Sequence, residues 1–117
     1  MDKPKPIAWI GSSREDLRAL PKTVREKIGH ALWEAQRGEL PRNAKILQGF
    51  GGASVAEIRA DDAGSTYRAV YTVRFADLVY VLHVYQKKSK KGIKTPPNVI
   101  ELIRKRLKTA EEDYENR

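Results

Sequence analysis

The 117-residue chain has no cysteine. That excludes a disulfide framework, a thiolate zinc site and a cysteine nucleophile. Histidine is nearly missing too: His30 and His83 are the only two, too few for a histidine metal cluster, so a reaction run by this chain is expected to need neither metal nor cofactor. No apolar run approaches the ~20 residues of a membrane helix, and no signal-peptide pattern opens the chain. The expected compartment is the cytoplasm, with no membrane partner. Repeats and low-complexity segments are absent. What is present is a 40% hydrophobic content with two Trp, five Tyr and two Phe, enough for one small core and one domain over residues 1–117.

The formal net charge is +8, and all of it sits in one stretch. Between Lys87 and Lys108 lie nine basic residues (Lys87, Lys88, Lys90, Lys91, Lys94, Arg104, Lys105, Arg106, Lys108) against one acid, Glu101. The rest of the chain is neutral, 14 basic residues against 14 acidic. A local surplus of this kind suits a polyanion, because every phosphate contacted releases condensed counterions. It also suits a merely solvated helix face.

Ile7 to Ile10 reads as an opening strand after Pro4 and Pro6. Ser12 or Ser13 is expected to cap a helix with Glu15 and Asp16 in its first turn. Leu17, Leu20, Val24, Ile28, Leu32 and Ala35 recur at helical steps, interrupted by Pro21, which predicts a short helical turn followed by a second helix ending near Gly38. Residues 43–53, with Gly49, Gly51 and Gly52, read as a flexible loop. Three strands follow, over 54–60, 66–75 and 78–86, joined by turns at Asp61-Asp62-Ala63-Gly64 and Ala76-Asp77, an antiparallel meander. After a basic loop, Asn98 is expected to cap a final helix whose seam is Ile100, Ile103, Leu107, Ala110 and Tyr114, with an acidic end that the helix dipole disfavours. The fold class is therefore α+β: a small, antiparallel-rich sheet with an N-terminal helical pair on one face and a C-terminal helix.

Chemistry gathers on the meander. Glu57 and Arg59 share one parity on its first strand, Arg68 begins the second, and His83, Tyr85 and Lys87 share a parity on the third. If the register unites them, the set suits metal-free cleavage of RNA. That reaction needs a base for the ribose 2′-hydroxyl, cations for the phosphorane oxygens and an acid for the departing 5′-oxygen. Arginine forks match phosphate, and a lysine crowded by cations has a lowered pKa that suits proton transfer. Tyrosine or histidine can pass a proton or stack on a base, and one well-placed donor to the developing charge is worth about 3 kcal/mol. Structural roles compete: Glu57 as the ion-pair partner of Arg59 or of an arginine on the next strand, His83 as an orienting core histidine, Lys90 and Lys91 as solvated charge. Arg68, set among Tyr67, Ala69 and Val70, is the arginine least suited to mere decoration.

The strings Glu57-Ile58-Arg59, Tyr67-Arg68-Ala69-Val70-Tyr71, Leu82-His83-Val84-Tyr85-Gln86-Lys87-Lys88-Ser89 and Lys94-Thr95-Pro96 resemble the phage-derived Gp49-like family, HigB-type toxins of type II toxin–antitoxin modules within the RelE/ParE superfamily. Trp9-Ile10, Asp16-Leu17 and Leu20-Pro21 resemble its opening. Tyr85 departs from the phenylalanine more usual there. The resemblance implies a RelE-like fold, an mRNA endoribonuclease (mRNA interferase) acting on the ribosome to inhibit translation, and a HigA-type helix-turn-helix antitoxin in a hetero-oligomer. It implies that Arg59 and Arg68 stabilise the scissile phosphate. Lys87, Lys88 and Lys94 contact RNA, one of them moving a proton, and Tyr85 or His83 serves as acid or stacking platform. The basic C-terminal helix, with Arg104 and Lys105, contacts ribosomal RNA or an acidic antitoxin surface. Two other readings of the same fold are a ParE-like gyrase poison and a non-catalytic basic binding protein.

Overall fold

The computed structural model describes residues 3–52, 54–88 and 94–117. In chain order the elements are β1 (Ile7–Trp9), α1 (Ser13–Arg18), α2 (Lys22–Gln36), β2 (Ala44–Ile46), β3 (Val55–Asp62), β4 (Ser65–Thr72), β5 (Val79–Lys87) and α3 (Pro97–Glu115). The strands form one five-stranded sheet in the order β1-β5-β4-β3-β2. The meander β3-β4-β5 is antiparallel, as its short turns predict. β1 adds to β5 in parallel, and β2 adds to β3 antiparallel.

The turn at Ala63-Gly64 carries positive φ at both residues, 50° and 82°. That geometry matches strand twist in a two-residue hairpin loop and makes the glycine useful there. Thr72 ends β4 earlier than the alternation suggests. Its hydroxyl donates to the Ser54 carbonyl (2.8 Å) and accepts the Arg74 N–H (3.1 Å), turning the chain out of the sheet before Phe75. The loop read over 43–53 contains β2, a strand too short to show a period of its own.

Neither helix uses the cap the sequence suggests. The Ser12 hydroxyl donates to the Asp16 carboxylate at 2.7 Å instead of taking a backbone N–H. α3 starts one residue before Asn98, at Pro97, where a missing N–H costs nothing. At the other end of α2, Gly38 (φ 85°) closes the helix. Its N–H reaches the Ala35 carbonyl while the Glu39 N–H reaches that of Glu34, both at 3.0 Å, the paired bonds of a Schellman ending.

Both faces of the sheet are covered. α1 and α2 bury Val24, Ile28, Ala31, Leu32 and Ala35 against Ala56, Ile58, Ala60, Ala69, Tyr71 and Val81. The small Ala56, Ala60 and Ala69 let α2 approach closely. On the opposite face, α3 buries Val99, Ile103, Leu107 and Ala110 against Val55, Val70, Tyr80 and Leu82. The acidic end of α3 is held by the chain itself. Glu111 pairs with Arg74 (2.8 Å), and Asp113 accepts the Tyr80 hydroxyl (2.6 Å) and pairs with Arg117 (2.8 Å). α3 covers only part of its face. The end nearest the β3-β4 turn is left to polar side chains. No described helix is long and apolar enough to cross a membrane.

Candidate functional site

A bulge in β5 decides which residues meet. Val70 pairs with His83, but the next residue, Tyr71, pairs with Val81, so Leu82 is the extra residue. Two consecutive side chains, Leu82 and His83, therefore face α3. Leu82 enters its core, and His83 meets Arg106. Past the bulge the parity of β5 is inverted, which puts His83, Tyr85 and Lys87 on the face that carries Glu57 and Arg68. Strict alternation from Tyr80 and Leu82 would have sent them to the other side.

The result is three cross-strand rows. Lys45, Glu57, Val70 and His83 make the first; Arg59, Arg68 and Tyr85 the second; Asp61, Thr66 and Lys87 the third. Directly opposed side chains lie within contact distance, so five sequence candidates, Arg59, Arg68, His83, Tyr85 and Lys87, converge on one patch.

The floor of the patch is a buried polar cluster centred on Glu57, which is 1% exposed. Arg68, 3% exposed, donates Nη1 to Glu57 Oε1 at 2.6 Å. Glu57 Oε2 accepts the Tyr85 hydroxyl at 3.0 Å and the Thr95 hydroxyl at 3.2 Å. Among the described residues Arg68 Nε has no hydrogen-bond partner. Burial, and then the neighbouring Glu57 charge, push the Tyr85 phenol well above its ordinary pKa. Lys87 is 7% exposed, and burial and then Arg68 pull its ammonium below the ordinary lysine value, with Glu57 acting the other way.

His83 stacks on Tyr85, ring centroids 4.9 Å apart and planes 13° from parallel. Its Nδ1 lies 3.1 Å from Arg106 Nη1. A guanidinium can only donate, so Nδ1 is the acceptor and the proton sits on Nε2. Burial, and then Arg106, lower the imidazole pKa, which keeps it neutral at pH 7. Arg106 also donates to the Leu82 carbonyl at 2.9 Å, tying α3 to the bulge.

The exposed rim is cationic. Arg59 leans on Asp61 at 3.3 Å. Beside it a cleft of about 390 Å³ is lined by Arg42, Asn43, Lys45, Arg59 and Asp61, with Glu57 and Arg68 at its base. Lys88 and Lys94 are exposed. Lys90 and Lys91 lie outside the described residues. Arg104 does not join the patch. It donates to the Gly49 carbonyl at 3.0 Å and covers the Phe50 ring, docking the glycine loop, while Lys105 is exposed on α3. Arg74 holds the same loop from the other side through the Phe50 carbonyl.

Sequence reasoning missed Arg42 and Lys45, because they need β2 to reach the cleft. It gave Glu57 an ion-pair role without the Tyr85 and Thr95 contacts. The shared parity of Glu57 and Arg59 on one strand, and of His83, Tyr85 and Lys87 on another, was the available signal; the register that unites them with Arg68 comes from the turn and the bulge.

Residues 15–108 match a family model described as phage-derived protein Gp49-like (DUF891). No curated protein matches the chain. Among solved structures, the free state of a double arginine-to-alanine mutant of the E. coli toxin RelE superimposes with a TM-score of 0.65 at 21% identity, covering 90% of this chain and 99% of that one. A chain of the toxin–antitoxin complex RelBE2 from Mycobacterium tuberculosis gives a TM-score of 0.50 at 21% identity, covering 73% of this chain and 100% of that one.

Proposed function

The chain belongs to the phage-derived Gp49-like family and has the RelE fold, and from that premise we propose that it is the toxin of a type II toxin–antitoxin module, of HigB type, that cuts mRNA on the ribosome. The observation that carries this reading is the row Arg59–Arg68–Tyr85 with Lys87 beside it. Two guanidinium groups line a cationic cleft, and the next strand sets a phenol opposite Arg68 and an ammonium with a lowered pKa in the adjoining row.

A ribose-phosphate linkage fits this arrangement. Arg59, on the rim, takes the non-bridging phosphate oxygens. Arg68, at the base, adds fixed positive charge where negative charge builds during attack, with no reorganisation needed. Tyr85 and Lys87 are the two proton-transfer groups, one for the attacking 2′-oxygen and one for the departing 5′-oxygen. The neutral His83 ring, stacked on Tyr85, extends a platform for an adjacent base. Lys88 and Lys94, with Lys90 and Lys91, draw in the RNA backbone, and α3 with Lys105 meets ribosomal RNA. The partner is an antitoxin, a reading supported by the toxin–antitoxin complex of the mycobacterial neighbour; its HigA helix-turn-helix type is what the HigB-type resemblance implies.

Inducible expression followed by primer extension on cellular messages tests the reading. New 5′ ends inside coding regions, lost in Arg59→Ala and suppressed by co-expressed antitoxin, are expected. Intact messages together with a DNA-damage response would instead make the protein a ParE-like gyrase poison.

A further inference from the structure

Tyr85 and Lys87 sit on adjacent rows of one strand, but their surroundings differ in kind. Lys87 stands in the row of Thr66 and Asp61, beside the row that holds Arg59 and Arg68, and Arg68 is the charge that acts on it most. Tyr85 faces a carboxylate. Its hydroxyl donates to Glu57 Oε2 at 3.0 Å, so the phenolic proton is already directed at a buried acceptor. Glu57 is held for that task. Oε1 is fixed by Arg68 at 2.6 Å, and Thr95 donates to Oε2 at 3.2 Å from beyond the basic loop. With Oε1 taken by the buried guanidinium at 2.6 Å, Oε2 is the oxygen left to accept from Tyr85.

We propose that Glu57 is a positioning residue that makes Tyr85 the base end of the cleavage site, by accepting the phenolic proton as the phenol oxygen takes one from the substrate. This rests on the RNA-cleavage reading and decides the direction of its two proton transfers. The 2′-hydroxyl proton moves to Tyr85 Oη while the Tyr85 proton moves to Glu57 Oε2. The 2′-oxygen then bonds to phosphorus and the bond from phosphorus to the 5′-oxygen breaks. The 5′-oxygen takes its proton from the Lys87 ammonium. The products are a 2′,3′-cyclic phosphate and a 5′-hydroxyl end. The enzyme is left with a neutral Glu57 and a neutral Lys87 amine, and exchange with solvent resets both. Arg68 balances the Glu57 charge before the transfer and faces the phosphorane after it. Surrounding cations make Lys87 a readier proton donor, which suits the leaving-group end.

The test is single-turnover cleavage of a ribosome-bound message by the purified full chain, comparing wild type with Tyr85→Phe, Glu57→Gln and the double variant, and folding checked by circular dichroism. Tyr85→Phe keeps the Glu57–Arg68 pair, so it tests the relay even if Glu57→Gln does not fold. Each single variant is expected to lose about a hundredfold or more in cleavage rate with message binding unchanged. The double variant is expected to be no slower than the slower single one, because both changes break the same relay. Multiplied losses in the double variant, or a Tyr85→Phe enzyme as fast as wild type, would overturn the proposal while leaving the nuclease reading in place. A wild-type protein that leaves the message uncut would overturn both.

Discussion

The two faces of the sheet are built from the same three long strands, and they do opposite things. Toward α1 and α2 the strands present Ala56, Ile58, Ala60, Ala69, Tyr71, Val81 and Val84, a core that holds no buried charge. Even the Tyr71 phenol is buried there, its pKa raised to about 12 by desolvation. Toward α3 the face divides. One half, Val55, Val70, Tyr80 and Leu82, is a second core; the other half holds Glu57, Arg68, Tyr85 and Lys87. The first face supplies burial alone. The second uses part of its burial to hold charges that could not stay in place in water, because a low-dielectric setting strengthens each of their contacts. The bulge at Leu82 separates these roles: it lets β5 contribute aliphatic side chains to α3 and then functional ones to the patch.

Four changes test that division, in falling order of expected effect. Lys87→Met should lower message cleavage by about a hundredfold or more in a chain that still folds, because Met keeps the length and the apolar stem of the side chain; cleavage kinetics and circular dichroism read the two halves of that statement. Arg68→Ala should cost about 3–5 kcal/mol in denaturant unfolding, because it leaves Glu57 buried and uncompensated. Leu32→Ala, on the α2 side, should cost about 2–5 kcal/mol through the cavity it opens, while cleavage per folded molecule stays at the wild-type rate. The smallest effect is a pH dependence. Burial and Arg106 hold the folded-state pKa of His83 below its ordinary value of 6.5. The unfolded chain therefore takes up the proton first. The contribution of His83 to stability should be complete above pH 6.5 and shrink as the pH falls through the window between 6.5 and the lower folded value. Unfolding curves of His83→Gln, compared with wild type, should lack that slope.

Much of the fold could be read from the residues. The period of Leu17 to Ala35, the alternation from Val55 to Thr72 and the seam from Ile103 to Ala110 each bury a face whose spacing is visible in the chain. β2 could not be read, because three residues between a proline turn and a glycine loop show no period; its pairing with β3 defines it. Nor could the extra residue in β5: Leu78 to Leu82 is a run of aliphatic and aromatic residues, so nothing marks where the alternation slips. That slip is also why the site was legible only as a set of candidates. Arg59, Arg68, His83, Tyr85 and Lys87 could be named from chemistry, but their convergence depends on one unpaired leucine. The expected Ser12 cap failed for a local reason: its hydroxyl is turned to donate to the Asp16 carboxylate and accepts no backbone N–H.

The most direct measurement is the rate at which purified protein cuts a ribosome-bound message, taken per folded molecule for wild type, Lys87→Met and Leu32→Ala side by side. Cleavage to 5′-hydroxyl ends by wild type and Leu32→Ala, with Lys87→Met folded and inactive, is the expected result. Equal cleavage by wild type and Lys87→Met, or no cut message with wild type, would contradict the assignment of this patch as the place where RNA is broken.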